Sequence, residues 1–340
     1  MRKGIAVAGA LVYDQHYTIP SYPAESMLAK ATDPTNSIGG TGNLIFDLAK
    51  LDPSLRIQVS SIIGSGAHGK EIERQLALYP NIDTSPLTAD GLTSITYVMN
   101  AVDSKQRTFF YYPGSSDNYA DEDILWDKLD GSSIFHLDYL FLLGKADQDD
   151  EEYGTGCARI LHHAQELGMK SSFDMVSEKS ERCLIGCKAA AKYSDYCSIN
   201  EVELENGTGI TIVRPDGTVD EGAVKAGLSQ LKEWGLRTWA VCHSAFCSYA
   251  LDCEKGIFYK HPSLNITKDM IVGKTGAGDA FCAGILYSAY RGYDLPAALA
   301  VASGTSGISL FAKDGTSGMR GYDEVMEVYR KYFGGGCETF

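Results

Sequence analysis

Short, continuously apolar segments alternate with helix-period segments along most of this chain, and that alternation constrains the fold more than any other feature. The strand-like runs are 4–12, 56–63, 133–138, 170–175, 196–199 and 237–243, each bounded by turn residues. Between them lie helical patterns at 44–51, 71–78, 151–167, 181–191 and 222–234, with two long ones after Gly278. Strands that are apolar on both faces and separated by helices predict an α/β protein whose parallel sheet is covered on both sides. Two stretches interrupt the pattern. Residues 93–102 (TSITYVMNAV) and 107–112 (RTFFYY), joined by Asp103-Ser104-Lys105-Gln106, read as an antiparallel hairpin. Such an insertion predicts a lid, with its other strands drawn from residues 13–38, which have no helical period.

The 340 residues carry 30 Lys+Arg against 44 Asp+Glu, a formal charge of −14. Without clustered cations, nucleic acid and anionic membrane surfaces are excluded as partners. Nine cysteines, an odd number scattered over the chain, fit reduced thiols and a cytoplasmic location better than a disulfide framework. Arg2 and Lys3 ahead of the apolar run 4–12 mimic a signal peptide, but Tyr13-Asp14-Gln15-His16 follows with no cleavage pattern, so the run reads as a first buried strand. No apolar stretch approaches the ~20 residues needed to span a bilayer. With no linker dividing the chain, residues 1–340 are expected to form a single domain with a lid built from about 13–38 and 93–114.

The sharpest local feature is Gly273-Lys274-Thr275-Gly276-Ala277-Gly278-Asp279, followed by the helical run 280–290. A Gly-rich turn opening a helix gathers unpaired N–H groups and the positive end of the helix dipole, which makes an anion site. It is not a Walker A loop, because position 268 is Lys where that motif needs Gly. A literal G-x-G-x-x-G stands at 64–69 with Asp83 downstream, as in NAD-binding folds. Residues 78–83, however, offer no apolar run for the second strand of the unit. Gly39-Gly40-Thr41-Gly42-Asn43 precedes a helix, where glycines let a ligand approach backbone and Asn43 can donate to or accept from a polyol. Asn200-Glu201-Val202-Glu203 follows a strand end, and its amide and carboxylate, three apart, share one face of a helical turn and could hold a hydrated Mg²⁺.

Taken in order, Asp14, the Gly39-Gly40 pair with Asn43, residues 63–69, the hairpin, Asn200 to Glu203 and Gly276-Ala277-Gly278-Asp279 resemble the PfkB (ribokinase-like) carbohydrate kinases over nearly the whole chain. The resemblance implies a ribokinase-like three-layer α/β/α fold with a central, mainly parallel sheet and a small β-sheet lid. It implies transfer of the γ-phosphoryl group of ATP to a sugar hydroxyl. Asp279 would be the general base, the N–H groups of Gly276, Ala277 and Gly278 the anion hole, and Asn200 with Glu203 the Mg²⁺-positioning pair. Asp14, Gly39, Gly40 and Asn43 would contact substrate hydroxyls. A carboxylate at a helix N-terminus is expected to stay ionised at neutral pH.

The chain also departs from the family pattern. Gly273-Lys274 stands where an Asp-Thr pair is usual, so activation by a monovalent cation does not carry over, and Lys274 becomes a candidate phosphate contact. Residues 241–249 (VCHSAFCSY) lack the glycines of the usual nucleotide loop. Cys242, His243, Cys247 and Cys253 read as buried thiols and a strand histidine, not a zinc set. Rival readings are a nucleoside kinase, whose base could stack on Phe109 to Tyr112, a catalytically silent sugar-binding or regulatory protein, and an NAD-binding protein using 64–69. Strand alternation is expected to bury every second one of those aromatics. An exposed lid sheet would also invite pairing into a homodimer.

Overall fold

The computed structural model describes residues 2–340. Ten strands form the main sheet, in the order Glu338–Thr339, Ile257–Pro262, Cys247–Asp252, Trp239–His243, Tyr196–Asn200, Lys170–Met175, Ile134–Leu140, Ile5–Ala8, Ile57–Ser60 and Ile82–Asp83. From Trp239–His243 to Ile82–Asp83 all neighbours are parallel. The three strands beyond Trp239–His243 run antiparallel. Adjacent residues on the strands feed opposite faces. Ile5 and Val7 pack with the helices Thr41–Leu51, Ala277–Arg291 and Leu295–Ser309, whereas Ala6 and Ala8 pack with Gly156–Glu166, Arg182–Lys192 and Glu221–Glu233. Two apolar cores thus sandwich one sheet, the α/β arrangement that the alternation predicts.

Several boundaries differ from expectation. The run 4–12 is two strands, and the second, Leu11–Ile19, leaves the main sheet. It joins Thr32–Gly40, Ser94–Ala101 and Arg107–Tyr112 in a separate four-stranded sheet. There Ser94–Ala101 and Arg107–Tyr112 pair antiparallel, as the hairpin reading has it, while Leu11–Ile19 pairs parallel with Ser94–Ala101. The run 56–63 also splits, and the end of the 241–249 stretch begins a new antiparallel strand. A short parallel strand, Ile82–Asp83, does follow the 64–69 loop, contrary to the reading that none was available. Its Asp83 pairs with Arg56 at 2.6 Å, and Gly64 and Gly69 serve packing, a Cβ on Gly69 colliding with the Gly64 carbonyl. These contacts leave the G-x-G-x-x-G without its ribose acid. Among the described residues, no helix is long and apolar enough to cross a membrane.

Candidate functional site

The carboxyl ends of the parallel strands converge on a cavity of about 470 Å³ between the two sheets. Open parallel sheets bind their ligands at this edge, because strand ends and helix starts meet there. The main sheet supplies Tyr139, Asp174, Asn200 and His243, the small sheet Asp14, Thr96, Phe109 and Tyr111, and two helix starts supply Asn43 and Asp279. The sequence thus places Asp14, Gly40, Asn43, Asn200, Glu203, Gly276, Gly278 and Asp279 around one cavity. Lys274 is exposed and lines an adjoining cavity of about 270 Å³. His243 and Gly278 line both, so they form the wall between the two spaces.

Three glycines of the site answer to a steric demand. Gly40 has φ +56, ends the small sheet's Thr32–Gly40 strand and caps the Thr41–Leu51 helix. A Cβ on Gly39 would collide with the Asp14 carboxylate, which folds over its backbone. Gly276 caps the Ala277–Arg291 helix at φ +76, with Gly315 Cα only 2.5 Å from where its Cβ would stand. Asp279 thereby sits in the first turn of that helix, where backbone N–H groups lack helical partners. Ala277 N–H is partly used, reaching Lys274 O at 3.3 Å.

Both oxygens of Asp279 are engaged. Asn43 Nδ2 donates to Oδ2 at 2.9 Å and the Tyr139 hydroxyl to Oδ1 at 2.5 Å. The carboxyl is only 7% exposed. Its pKa is pushed up to about 7, chiefly by burial and then by Asp138, against those two hydrogen bonds. This corrects the expectation of a fully ionised group at neutral pH: loss of water outweighs the helix dipole. Asp14 is likewise raised to about 7 by burial, with Thr96 pulling the other way.

Asn200 and Glu203 close a capping box. Asn200 Oδ1 accepts from the N–H groups of Val202 and Glu203, both at 2.9 Å, and Glu203 Oε2 accepts from Asn200 N–H at 2.8 Å. Asn200 Nδ2 and Ser177 Oγ donate to Glu203 Oε1 at 2.6 and 2.7 Å. Burial lifts Glu203 to about 7, with Asp279 adding to it. Because its oxygens are already hydrogen-bonded, this carboxylate fits a divalent cation held through water and not by direct ligation.

Two features escape sequence reasoning. Tyr139 has a left-handed backbone, φ +58, rare for a side chain of this size, and that turn aims its hydroxyl at Asp279. No residue pattern marks such a position. The aromatic run 109–112 also departs from expectation: all four residues are at least 36% exposed. The small sheet carries no helix on its far face there, so alternation divides Phe109 and Tyr111 toward the cavity from Phe110 and Tyr112 toward the outside. The small sheet also touches the Gly-rich turn, where Arg107 donates to the Thr275 hydroxyl and, at 3.5 Å, to the Lys313 carbonyl.

Solved structures with this architecture include a ribokinase from Thermotoga maritima (TM-score 0.76, 16% identity, covering 97% of this chain and 99% of that one). A ribokinase from Arabidopsis thaliana, solved with ribose and ATP, matches with TM-score 0.78 at 17% identity over 97% and 99% of the two chains. A nucleoside kinase from Methanocaldococcus jannaschii matches at 0.70 and 18%, again over 97% and 99%. No curated relative matches by sequence. A model of the family described as pfkB family carbohydrate kinase matches residues 2–320. With the ribokinase-like sheet, the site at its carboxyl edge and that match in agreement, the chain belongs to the pfkB family of carbohydrate kinases.

Proposed function

We propose that this kinase transfers the γ-phosphoryl group of ATP to a hydroxyl of a sugar or sugar-like polyol, with Asp279 as general base. The observation that carries the reading is the position of Asp279, a buried carboxylate in the first turn of a helix beside the wall shared by two cavities. The 470 Å³ cavity takes the acceptor and the 270 Å³ cavity the nucleotide; nucleotide use is supported by the Arabidopsis thaliana and Cryptococcus neoformans ribokinases, solved with ATP and ADP.

Asp14 and Asn43, with the backbone of Gly39 and Gly40, hold the acceptor's hydroxyls. The reacting hydroxyl displaces one of the two donors on Asp279, and its proton passes to that carboxylate as its oxygen bonds the γ-phosphorus. The bond from that phosphorus to the β,γ-bridging oxygen breaks, and ADP leaves. Negative charge on the transferring group is met by the N–H groups at 276–278 and the helix dipole, with Lys274 at the nucleotide side. Mg²⁺, held through water near Glu203 and Asn200, would neutralise phosphate charge. The four-stranded sheet serves as a lid that keeps water from competing as acceptor, within a single domain of 1–340. Its outward Phe110 and Tyr112 offer a face for pairing with a second copy.

A nucleoside acceptor is the second reading, favoured by Phe109 and Tyr111 facing the cavity, where a base could stack. ADP formation measured over a panel of sugars and nucleosides separates the two. Asp279→Ala is expected to cut kcat by roughly 10²–10⁴ while the protein remains folded. Turnover at the wild-type rate would overturn the base assignment, and no ADP with any acceptor would favour a silent binding protein.

A further inference from the structure

Directly beneath the Asp279 turn lies a cluster that phosphoryl transfer does not use. His136, in the strand Ile134–Leu140, is 0% exposed. Its Nδ1 is fixed by Ser172 Oγ at 3.0 Å, which leaves Nε2 to face three other groups. These are Asp138 Oδ1 at 3.4 Å, Asp174 Oδ1 at 3.9 Å and Cys282 Sγ at 4.0 Å. One ligand atom each from His136, Asp174 and Cys282 lies within 4.8 Å of the others. Asp138 is wholly buried, and its Oδ2 has no hydrogen-bond partner.

Separations of 3.4–4.0 Å are poor hydrogen bonds. A ligand tetrahedron with bonds of about 2.0–2.3 Å has edges of roughly 3.3–3.8 Å, so the separations of 3.9 and 4.0 Å from Nε2 to Asp174 and Cys282 shorten slightly when an ion draws the ligands in. Charge gives the same answer. Among the described residues, neither Asp138 nor Asp174 has a Lys or Arg partner, and His136 is their only basic neighbour. An imidazole oriented through its other nitrogen is the usual arrangement for a metal ligand.

We propose that His136, Asp174 and Cys282 bind a divalent transition-metal ion of the zinc class. The nitrogen, thiolate and carboxylate donor set suits a borderline-soft ion and not Mg²⁺, so this site is separate from any cation at Glu203. Asp174 also lines the 470 Å³ cavity and gives the ion its path inward. The site has three protein ligands and leaves its fourth position to a water. It ties the helix Ala277–Arg291, one turn beyond Asp279, to the strands Ile134–Leu140 and Lys170–Met175. On binding, the thiol proton leaves to solvent.

The test reads metal, not turnover, and so stands or falls independently of the kinase reading. Protein produced in zinc-supplemented medium is expected to hold about one zinc per chain after dialysis, by mass spectrometry. Protein produced with cobalt instead is expected to show a thiolate-to-cobalt charge-transfer band. Cys282→Ala and His136→Asn should lose the metal and the band, while Cys253→Ala, which alters a buried thiol outside the cluster, should keep both. Wild-type protein without bound zinc or without the cobalt band overturns the proposal whether or not the variants fold, and so does retention of both by folded Cys282→Ala.

Discussion

At Tyr139 an uncommon backbone conformation and the hydrogen bonding of the proposed base coincide, so one substitution probes both. A general base at Asp279, as proposed, would work as a carboxylate, so with a pKa near 7 the rate should climb as pH rises through neutrality. Tyr139 donates to the charged form and lowers that pKa. Tyr139→Phe is therefore expected to move the acidic limb of the kcat/KM profile to higher pH and to lower kcat/KM roughly tenfold at pH 7. A pH–rate series of both proteins checks it, and an unmoved limb would contradict the assignment. Lys274 calls for a binding measurement instead. Exposed beside the 270 Å³ cavity, it should contribute to nucleotide affinity, so Lys274→Ala is expected to raise the KM for ATP severalfold and leave the KM for the acceptor unchanged.

Among the elements, the start of Glu201–Thr208 does two jobs with one pair of residues. Asn200 caps the helix and steers Glu203, so Asn200→Ala is expected to cost about 1 kcal/mol, a fall in Tm of roughly 1–2 °C by calorimetry. How far the site could be read from sequence follows from what each element demands of its residues. The turns at Gly40 and Gly276 were legible because a positive φ and a close neighbour admit only glycine, and a polar residue then stands at a helix start. The parallel strands were legible as apolar runs buried on both faces. The left-handed Tyr139 was not, since it is imposed by surrounding packing and has no residue signature. The antiparallel strands Cys247–Asp252 and Ile257–Pro262 were missed for another reason: their apolar residues are interleaved with Ser, Asp, Lys and His, of which Ser248, Asp252 and His261 are buried all the same. The helix Tyr322–Tyr332 buries only Val325 fully, too thin a stripe to stand out.

On the scale of the whole molecule, three acids near neutrality, Asp14, Glu203 and Asp279, make ligand-free stability depend on pH. A carboxyl whose folded pKa lies above its unfolded value holds its proton longer when folded, so its contribution falls as pH rises from about 4 to 7. Asp279→Asn removes the buried charge. Its Tm is expected to exceed wild type by roughly 5 °C at pH 8 and to converge with it near pH 4, by scanning calorimetry. Equal gains at both pH values would show that charge burial is not the cause. The net charge of −14 adds that ATP would not be drawn in from a distance, so on the proposed function its capture rests on contacts made at the turn itself. That turn is not independent of the small sheet, because Arg107 reaches across to Thr275 and the Lys313 carbonyl. On the proposed function, the sheet lifts to exchange the acceptor only by releasing the turn proposed to hold phosphate, so the two products would share a single gate. Arg107→Ala should unlatch it, and stopped-flow release of phosphorylated product and ADP should then follow separate time courses where the wild type gives one.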